Sequence, residues 1–192
     1  MSNVSTDIKK ETLLAWKNGS SDAFEEIVNI TMTRAYSVAL SLVGNAEDAK
    51  DLSQEAFIAA HRAKKSFDDE RPFFPWFYRI LRNRCLNFIR SRSKRGEISM
   101  DVLIEKDSGI ESPERAMIRK EDSEALWNAL FTLSPEHREI IVLRNFQDLA
   151  YREISEVLGI SQGTVMSRLF YARKALYDVL KDRLRVEGDD AR

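Results

Sequence analysis

Cysteine is almost absent from this chain: Cys85 is the single cysteine among 192 residues. One cysteine excludes an internal disulfide and is typical of a protein in a reducing cytoplasm. The two histidines, His61 and His137, are far apart in the sequence, and no cluster of His and Cys has the spacing of a metal site. The sequence also has no glycine-rich phosphate loop. We therefore expect no metal, no cofactor and no enzymatic activity.

Long hydrophobic runs and strand-like alternation are also missing. The first ten residues contain no apolar core for a signal peptide, and no run is long enough to span a membrane. Only 7 glycines and 4 prolines interrupt a chain that is rich in helix formers. With 43% hydrophobic residues, the chain can still bury a substantial core. These features predict an all-α protein located in the cytoplasm.

The chain has almost no net charge, with 30 basic and 31 acidic residues. Since nucleic-acid-binding domains often carry a basic excess, any basic surface must be local. All eight charged residues between positions 71 and 95 are basic, whereas six acids and one base lie between 97 and 114. We predict two small helical domains, at 1–95 and 113–185, joined by a flexible acidic linker at 96–112 and followed by a tail at 186–192.

Residues 150–176 have the pattern of a helix-turn-helix. Ile154, Val157 and Leu158 repeat at helical spacing, Gly159 suits a left-handed helix cap, and Ser161 is a good N-cap for the next helix. That second helix has an apolar stripe and a polar face that could enter a DNA major groove. The candidate DNA-contacting residues are Ser161, Gln162, Gly163, Thr164, Ser167, Arg168, Tyr171, Arg173 and Lys174. The alternative interpretation is an ordinary helical hairpin.

The acid-free basic segment is the second candidate interface. Four helices are predicted in the first domain, at about 7–18, 22–42, 47–65 and 76–92, and the basic residues follow the last of them. Its outward face combines cations for phosphates, amides that can read base edges and an aromatic ring that can stack: Trp76, Arg79, Asn83, Asn87 and Arg90. The preceding loop carries Phe67, Phe73 and Phe74, which suits capture of an unstacked base. Alternatively the face is only solvated and these rings pin the loop; we expect one of Phe73 and Phe74 to do so.

The third predicted helix has an acidic face with one apolar residue in it. Asp51, Gln54, Glu55 and Ile58 recur at i, i+3, i+4 and i+7, on the side opposite the core residues. An isolated apolar side chain in a polar stripe is typical of a protein interface, but it is also common on a solvated helix. The pattern alone leaves both interpretations open.

Taken together, these motifs resemble the extracytoplasmic-function (ECF) sigma factors, the small two-domain members of the bacterial sigma-70 family. Residues 51–57 look like the polymerase-binding helix of that family, and residues 76–83 look like the start of its minus-10 element helix. Residues 133–173 look like its minus-35 domain. Three motifs in this order are highly specific, and the resemblance covers about residues 20–180.

The resemblance implies partners and roles. Asp51, Gln54, Glu55 and Ile58 would bind the clamp helices of the largest polymerase subunit, and the flap of the second-largest subunit is a further expected contact. Asn83 and Asn87 would lie near the melted minus-10 strand, and the helix-turn-helix would read the minus-35 duplex. An anti-sigma factor is an expected partner, and a stress or envelope regulon is the expected target.

Some residues depart from the family pattern. Lys50 stands where relatives usually have an acid, Asn87 replaces a frequent Asp, and Met166 and Tyr171 occupy positions that are often basic. Fewer cations should weaken the electrostatic part of DNA binding. The alternative functions are a free-standing helix-turn-helix regulator, a DNA-processing enzyme and a helical scaffold. None of them accounts for all three motifs.

Overall fold

The computed structural model describes residues 8–95 and 125–189, with side chains as far as residue 181. Within these ranges the chain is helical and contains no strand, and it divides into two compact units. The predicted all-α class is therefore confirmed. The predicted acidic linker at 96–112 lies outside the described residues, as does the start of the second predicted domain.

Over residues 8–95 the first unit forms four α-helices: α1 (Lys10–Lys17), α2 (Ser21–Val43), α3 (Ala46–Arg62) and α4 (Phe73–Lys94). Helix α3 ends earlier than predicted, because residues Lys64–Ser66 form a separate 3₁₀ turn. Helix α4 begins three residues earlier than the predicted Trp76. Pro75 is compatible with this start, since the first turn of a helix has no intrahelical acceptor for its N–H groups.

Local side-chain caps define where α2 and α3 begin. The Ser20 hydroxyl accepts a hydrogen bond from the backbone N–H of Ala23 at 3.2 Å, and the Asn45 side chain accepts one from Asp48 at 3.0 Å. Gly44 ends α2 with φ of 77°, which a residue without Cβ adopts at little cost. The tight turn that follows places α3 against α2. Helices α2, α3 and α4 therefore share one core.

The second unit contains α5, described over residues 125–131, then α6 (Pro135–Ile141), α7 (Tyr151–Leu158) and α8 (Gln162–Asp189). A π-helical turn at Val142–Phe146 extends α6. The structure confirms the predicted caps. Gly159 has φ of 68°, and the Ser161 hydroxyl accepts from the N–H of Thr164 at 3.1 Å. Helix α8 continues to Asp189, beyond the predicted domain end at residue 185.

Candidate nucleic-acid interface

Helix α4 presents one continuous polar stripe to solvent. Arg79, Asn83, Asn87 and Arg90 are all exposed, at intervals of four, four and three residues, which places them on a single helical face. On the opposite face Phe77, Leu81 and Cys85 are completely buried. We name Arg79, Asn83, Asn87 and Arg90 the α4 stripe; it offers cations and amides side by side, the combination that binds phosphates and base edges.

Three phenylalanines, Phe67 in the loop and Phe73 and Phe74 at the start of α4, are buried, which corrects part of the sequence interpretation. Phe67, Phe73 and Phe74 have exposed fractions of only 2%, 4% and 5%. We expected one of Phe73 and Phe74 to pin the loop, and both do so because α4 already begins at Phe73. Neighbouring rings cover their faces: Phe73 packs on Phe77 at 5.6 Å and Phe67 on Trp76 at 5.1 Å. A base cannot stack directly on these faces in this arrangement.

Helix α1, to which the sequence pattern assigned no function, anchors the same region. Trp16 is completely buried, and its ring lies 6.1 Å from Phe67, 5.7 Å from Phe73 and 6.1 Å from Trp76. Its indole Nε1–H donates a hydrogen bond to Nδ1 of His61 at 3.2 Å. The indole therefore joins α1, the end of α3 and the start of α4. The apolar spacing of Leu13 and Trp16 is a sequence signal that could have pointed to a buried face on α1, but it does not identify the partners of that face.

Two ion pairs also tie α1 to the loop between α3 and α4. Lys17 pairs with Asp69 and Lys10 pairs with Glu70. The hydrogen bond from Lys17 lowers the pKa of Asp69, and the hydrogen bond to Glu70 raises the pKa of Lys10. These pairs offset the negative charge of a loop that lies next to the basic helix.

The predicted acidic face of α3 is on the surface. Asp51, Gln54 and Glu55 are exposed, and 52% of Ile58 is accessible. We name these four residues the α3 stripe. The side chain of Glu55 also forms an ion pair with Arg84 of α4 at 2.7 Å. Sequence patterns could not identify this pair, because its residues are 29 positions apart and lie on different helices.

A second ion pair joins the same helices. Asp48 contacts Arg92 at 2.8 Å, and the side chains of this pair have exposed fractions of 25% and 32%. Two of the basic residues in the acid-free segment are thus neutralised by α3. The positive charge that α4 can offer a nucleic acid is smaller than its sequence implies.

The second helix of the helix-turn-helix exposes most of the predicted residues. Gln162, Gly163, Thr164, Ser167, Tyr171, Arg173 and Lys174 are exposed, whereas Arg168 is half-buried. The hydroxyls of Ser161 and Thr164 lie 2.8 Å apart and bond to each other. Arg173 donates to Asn145 at 3.4 Å and is therefore turned toward the end of α6. Thr164, Ser167, Tyr171 and Lys174 share one side of α8 and form its outward face.

A second side of α8 is exposed and apolar. Met166, Phe170 and Tyr177 have exposed fractions of 58%, 65% and 64%, and their intervals of four and seven residues place them on one line. Of these three residues, only Met166 departs from the family pattern described above. The same helical spacing that identified the buried stripe would have identified this one.

The described residues contain neither a metal-binding cluster nor a membrane-spanning helix. Residues 8–95 and 125–189 contain no group of three or more side chains able to hold a metal ion. Within the same ranges, no helix has the length and hydrophobicity that crossing a bilayer requires.

Comparison with known proteins assigns both units. Residues 27–95 match the family model described as Sigma-70 region 2, and residues 123–176 match the model described as Sigma-70, region 4. The chain is 33% identical over 183 residues to the ECF RNA polymerase sigma factor SigW of Bacillus subtilis, which covers 90% of this chain and 97% of that protein. It is 35% identical over 180 residues to the RNA polymerase sigma-H factor of Pseudomonas aeruginosa, covering 88% and 92% respectively.

Solved structures give a consistent result. The sigma factor RpoE of Bartonella quintana, determined in complex with the anti-sigma factor NepR, matches with a TM-score of 0.70 and 26% identity. That match covers 82% of this chain and 96% of the other. CnrH, determined with the cytosolic domain of CnrY, has the same fold, with a TM-score of 0.69 over 92% of this chain at 24% identity.

Proposed function

This chain belongs to the extracytoplasmic-function sigma factors of the sigma-70 family, and we propose which of its surfaces binds core polymerase and which bind promoter DNA. As a sigma subunit it binds core RNA polymerase and directs initiation at specific promoters. The observation that carries the assignment of surfaces is the pair of exposed stripes on adjacent helices of the first unit. An acidic and apolar stripe on α3 lies beside a cationic and amide stripe on α4.

The α3 stripe binds the polymerase. Its carboxylates, Asp51 and Glu55, suit basic clamp helices on the largest subunit, and Ile58 supplies an apolar contact that loses exposed surface on binding. Support comes from the exposure of all four residues and from the accessible half of Ile58. Lys50 is also exposed, so the clamp contact at that point must accommodate a cation.

The α4 stripe binds the melted minus-10 strand. Arg79 and Arg90 contact phosphates, while Asn83 and Asn87 contact the edges of unpaired bases. The buried rings of Phe67, Phe73 and Phe74 support the loop from the core side and do not stack on the base themselves. The captured base would instead lie against the exposed part of the loop at residues 68–71.

The outward face of α8 reads the minus-35 duplex. Thr164, Ser167 and Lys174 point away from the core at the start and middle of the helix, the part that enters a major groove. Tyr171 adds a ring where relatives often have a cation, so we expect fewer phosphate contacts and a smaller salt dependence for this unit.

We also infer the location and regulation of the protein from its family. The protein works with polymerase in the cytoplasm, is held inactive by an anti-sigma factor, and serves a stress or envelope regulon. The similarity to an RpoE protein solved with its anti-sigma factor supports the second of these. A free-standing operator-binding regulator would not need the α3 stripe, because it does not bind core polymerase as a subunit.

Run-off transcription with bacterial core polymerase on genomic fragments tests this assignment. Permanganate footprinting then separates the two DNA contacts on a promoter found in this way. Asn83→Ala and Asn87→Ala should impair strand opening by about tenfold or more with nearly normal recruitment, because a lost base contact costs about 1–3 kcal/mol. Lys174→Ala should instead weaken recruitment, and Glu25→Ala, an exposed change on α2, should alter neither.

Two results would contradict the assignment. Normal opening of the natural promoter by both asparagine variants would remove α4 from the melted strand. Tight, sequence-specific binding of duplex DNA by the free protein at physiological salt would favour the operator-binding alternative.

A further inference from the structure

The ion pair between Glu55 and Arg84 joins the two proposed binding surfaces. Glu55 lies in the α3 stripe, and Arg84 follows Asn83 of the α4 stripe by one residue. The Arg84 Nη1 and Glu55 Oε2 atoms are 2.7 Å apart, and the side chains have exposed fractions of 35% and 56%. A partner can therefore reach the carboxylate while it is bonded to the guanidinium.

This position gives Glu55 two competing partners. In the free protein its carboxylate repels a phosphate that approaches Arg84. An exposed ion pair contributes little to stability, so a polymerase cation, which the carboxylate attracts, can replace Arg84 at small cost. Arg84 would then be a free guanidinium at the edge of the α4 stripe. Its long flexible side chain can turn toward a neighbouring phosphate.

We propose that Arg84 is a DNA-backbone contact that Glu55 holds in the free protein and that core polymerase releases by binding Glu55. The proposal rests on the function assigned above to the α3 and α4 stripes. Released, Arg84 adds one phosphate contact to the holoenzyme that the free subunit lacks. Because coupling between two binding sites is reciprocal, DNA bound at Arg84 also leaves Glu55 available to the polymerase.

The second ion pair between these helices is a natural control. Arg92 is bonded to Asp48, whose side chain is only 25% exposed, less than half the value of Glu55. Asp48 also precedes the α3 stripe, near the start of α3. A polymerase cation has less access to it, so Arg92 should remain paired in both states.

The salt dependence of DNA binding tests the proposal. The probe is a pre-melted fragment of a promoter that the wild-type holoenzyme transcribes, and its affinity is measured at several KCl concentrations with and without core polymerase. Each phosphate contact contributes about 0.7–0.9 to the slope of log affinity against log salt. Arg84→Gln should leave the slope of the free protein unchanged and lower that of the holoenzyme by this amount. Glu55→Gln should raise the slope of the free protein, and the double variant should restore it.

Controls separate the possible outcomes. Arg90→Gln should lower the salt slope of both the free protein and the holoenzyme. Arg92→Gln should have the same effect on the slope with and without core polymerase. Arg84→Lys should retain the holoenzyme slope because it keeps the charge. Circular dichroism must show native helix content for each variant. The proposal is wrong if Arg84→Gln changes the salt slope equally in the free protein and the holoenzyme, or changes it in neither. This conclusion requires that the wild-type holoenzyme still transcribes. If the wild-type protein does not support transcription, the proposed function itself fails.

Discussion

Replacing Trp16 with alanine should destabilise the first unit strongly. The indole is completely buried against three aromatic rings of the loop and of α4, and it donates to His61. Truncating a buried Trp to Ala typically costs about 3–5 kcal/mol, because contacts are lost and a cavity remains. That is a large part of the roughly 5–15 kcal/mol by which a domain is stable. Trp16→Phe keeps a ring but loses the hydrogen bond, and should cost about 1–2 kcal/mol.

Urea unfolding followed by tryptophan fluorescence measures this effect. The background should carry Trp127→Phe, so that all remaining tryptophan fluorescence comes from the first unit, from Trp76 and, where it is retained, Trp16. Leu14→Ala is the matched control on α1, since Leu14 is 39% exposed and its truncation should change the unfolding free energy by less than about 1 kcal/mol. A loss below about 1 kcal/mol for Trp16→Ala would show that α1 does not hold this core together.

The same substitution should also affect function. With the loop between α3 and α4 no longer anchored, promoter opening should fall even at temperatures where the unit remains folded. Binding of a minus-35 duplex should not change, because the helix-turn-helix belongs to the other unit. Normal opening by a folded Trp16→Ala protein would refute the supporting role of α1.

Three further changes give independent tests. Ile58→Ser should weaken core association in a pull-down assay without lowering the melting temperature, because the side chain is half exposed; undiminished binding would remove it from the interface. Gly159→Ala should destabilise the second unit by about 1 kcal/mol in urea, since φ is 68° while the space around an added Cβ is open; unchanged stability would contradict this strain. Lys17 lowers the pKa of Asp69. The stability that this pair contributes is therefore present above the ordinary Asp pKa of 3.8 and is lost as the pH falls below that value. Asp69→Asn should therefore flatten the stability profile in that acid range, and an unchanged profile would show that the pair contributes nothing.

The sequence predicted the two exposed stripes and the helix-turn-helix because each depends on helical periodicity alone. Asn83 and Asn87 lie on one face of α4 for the same reason that Phe77 and Leu81 lie on the other. Gly159 and Ser161 could be assigned as caps because the chemistry of helix ends is local. The resemblance to ECF sigma factors, carried by motifs of consecutive residues, is confirmed for both units.

Tertiary structure alone decided which side chains from distant parts of the chain meet. Phe67 and Phe73 became supports for the loop, and not open stacking faces, because Trp16 of α1 packs against them. Arg84 is paired with Glu55, 29 positions earlier, because α3 lies against α4. Periodicity defines the face of a helix, but whether that face is occupied depends on how the helices pack. Packing follows from the summed burial of several helices and has no local signature in the sequence.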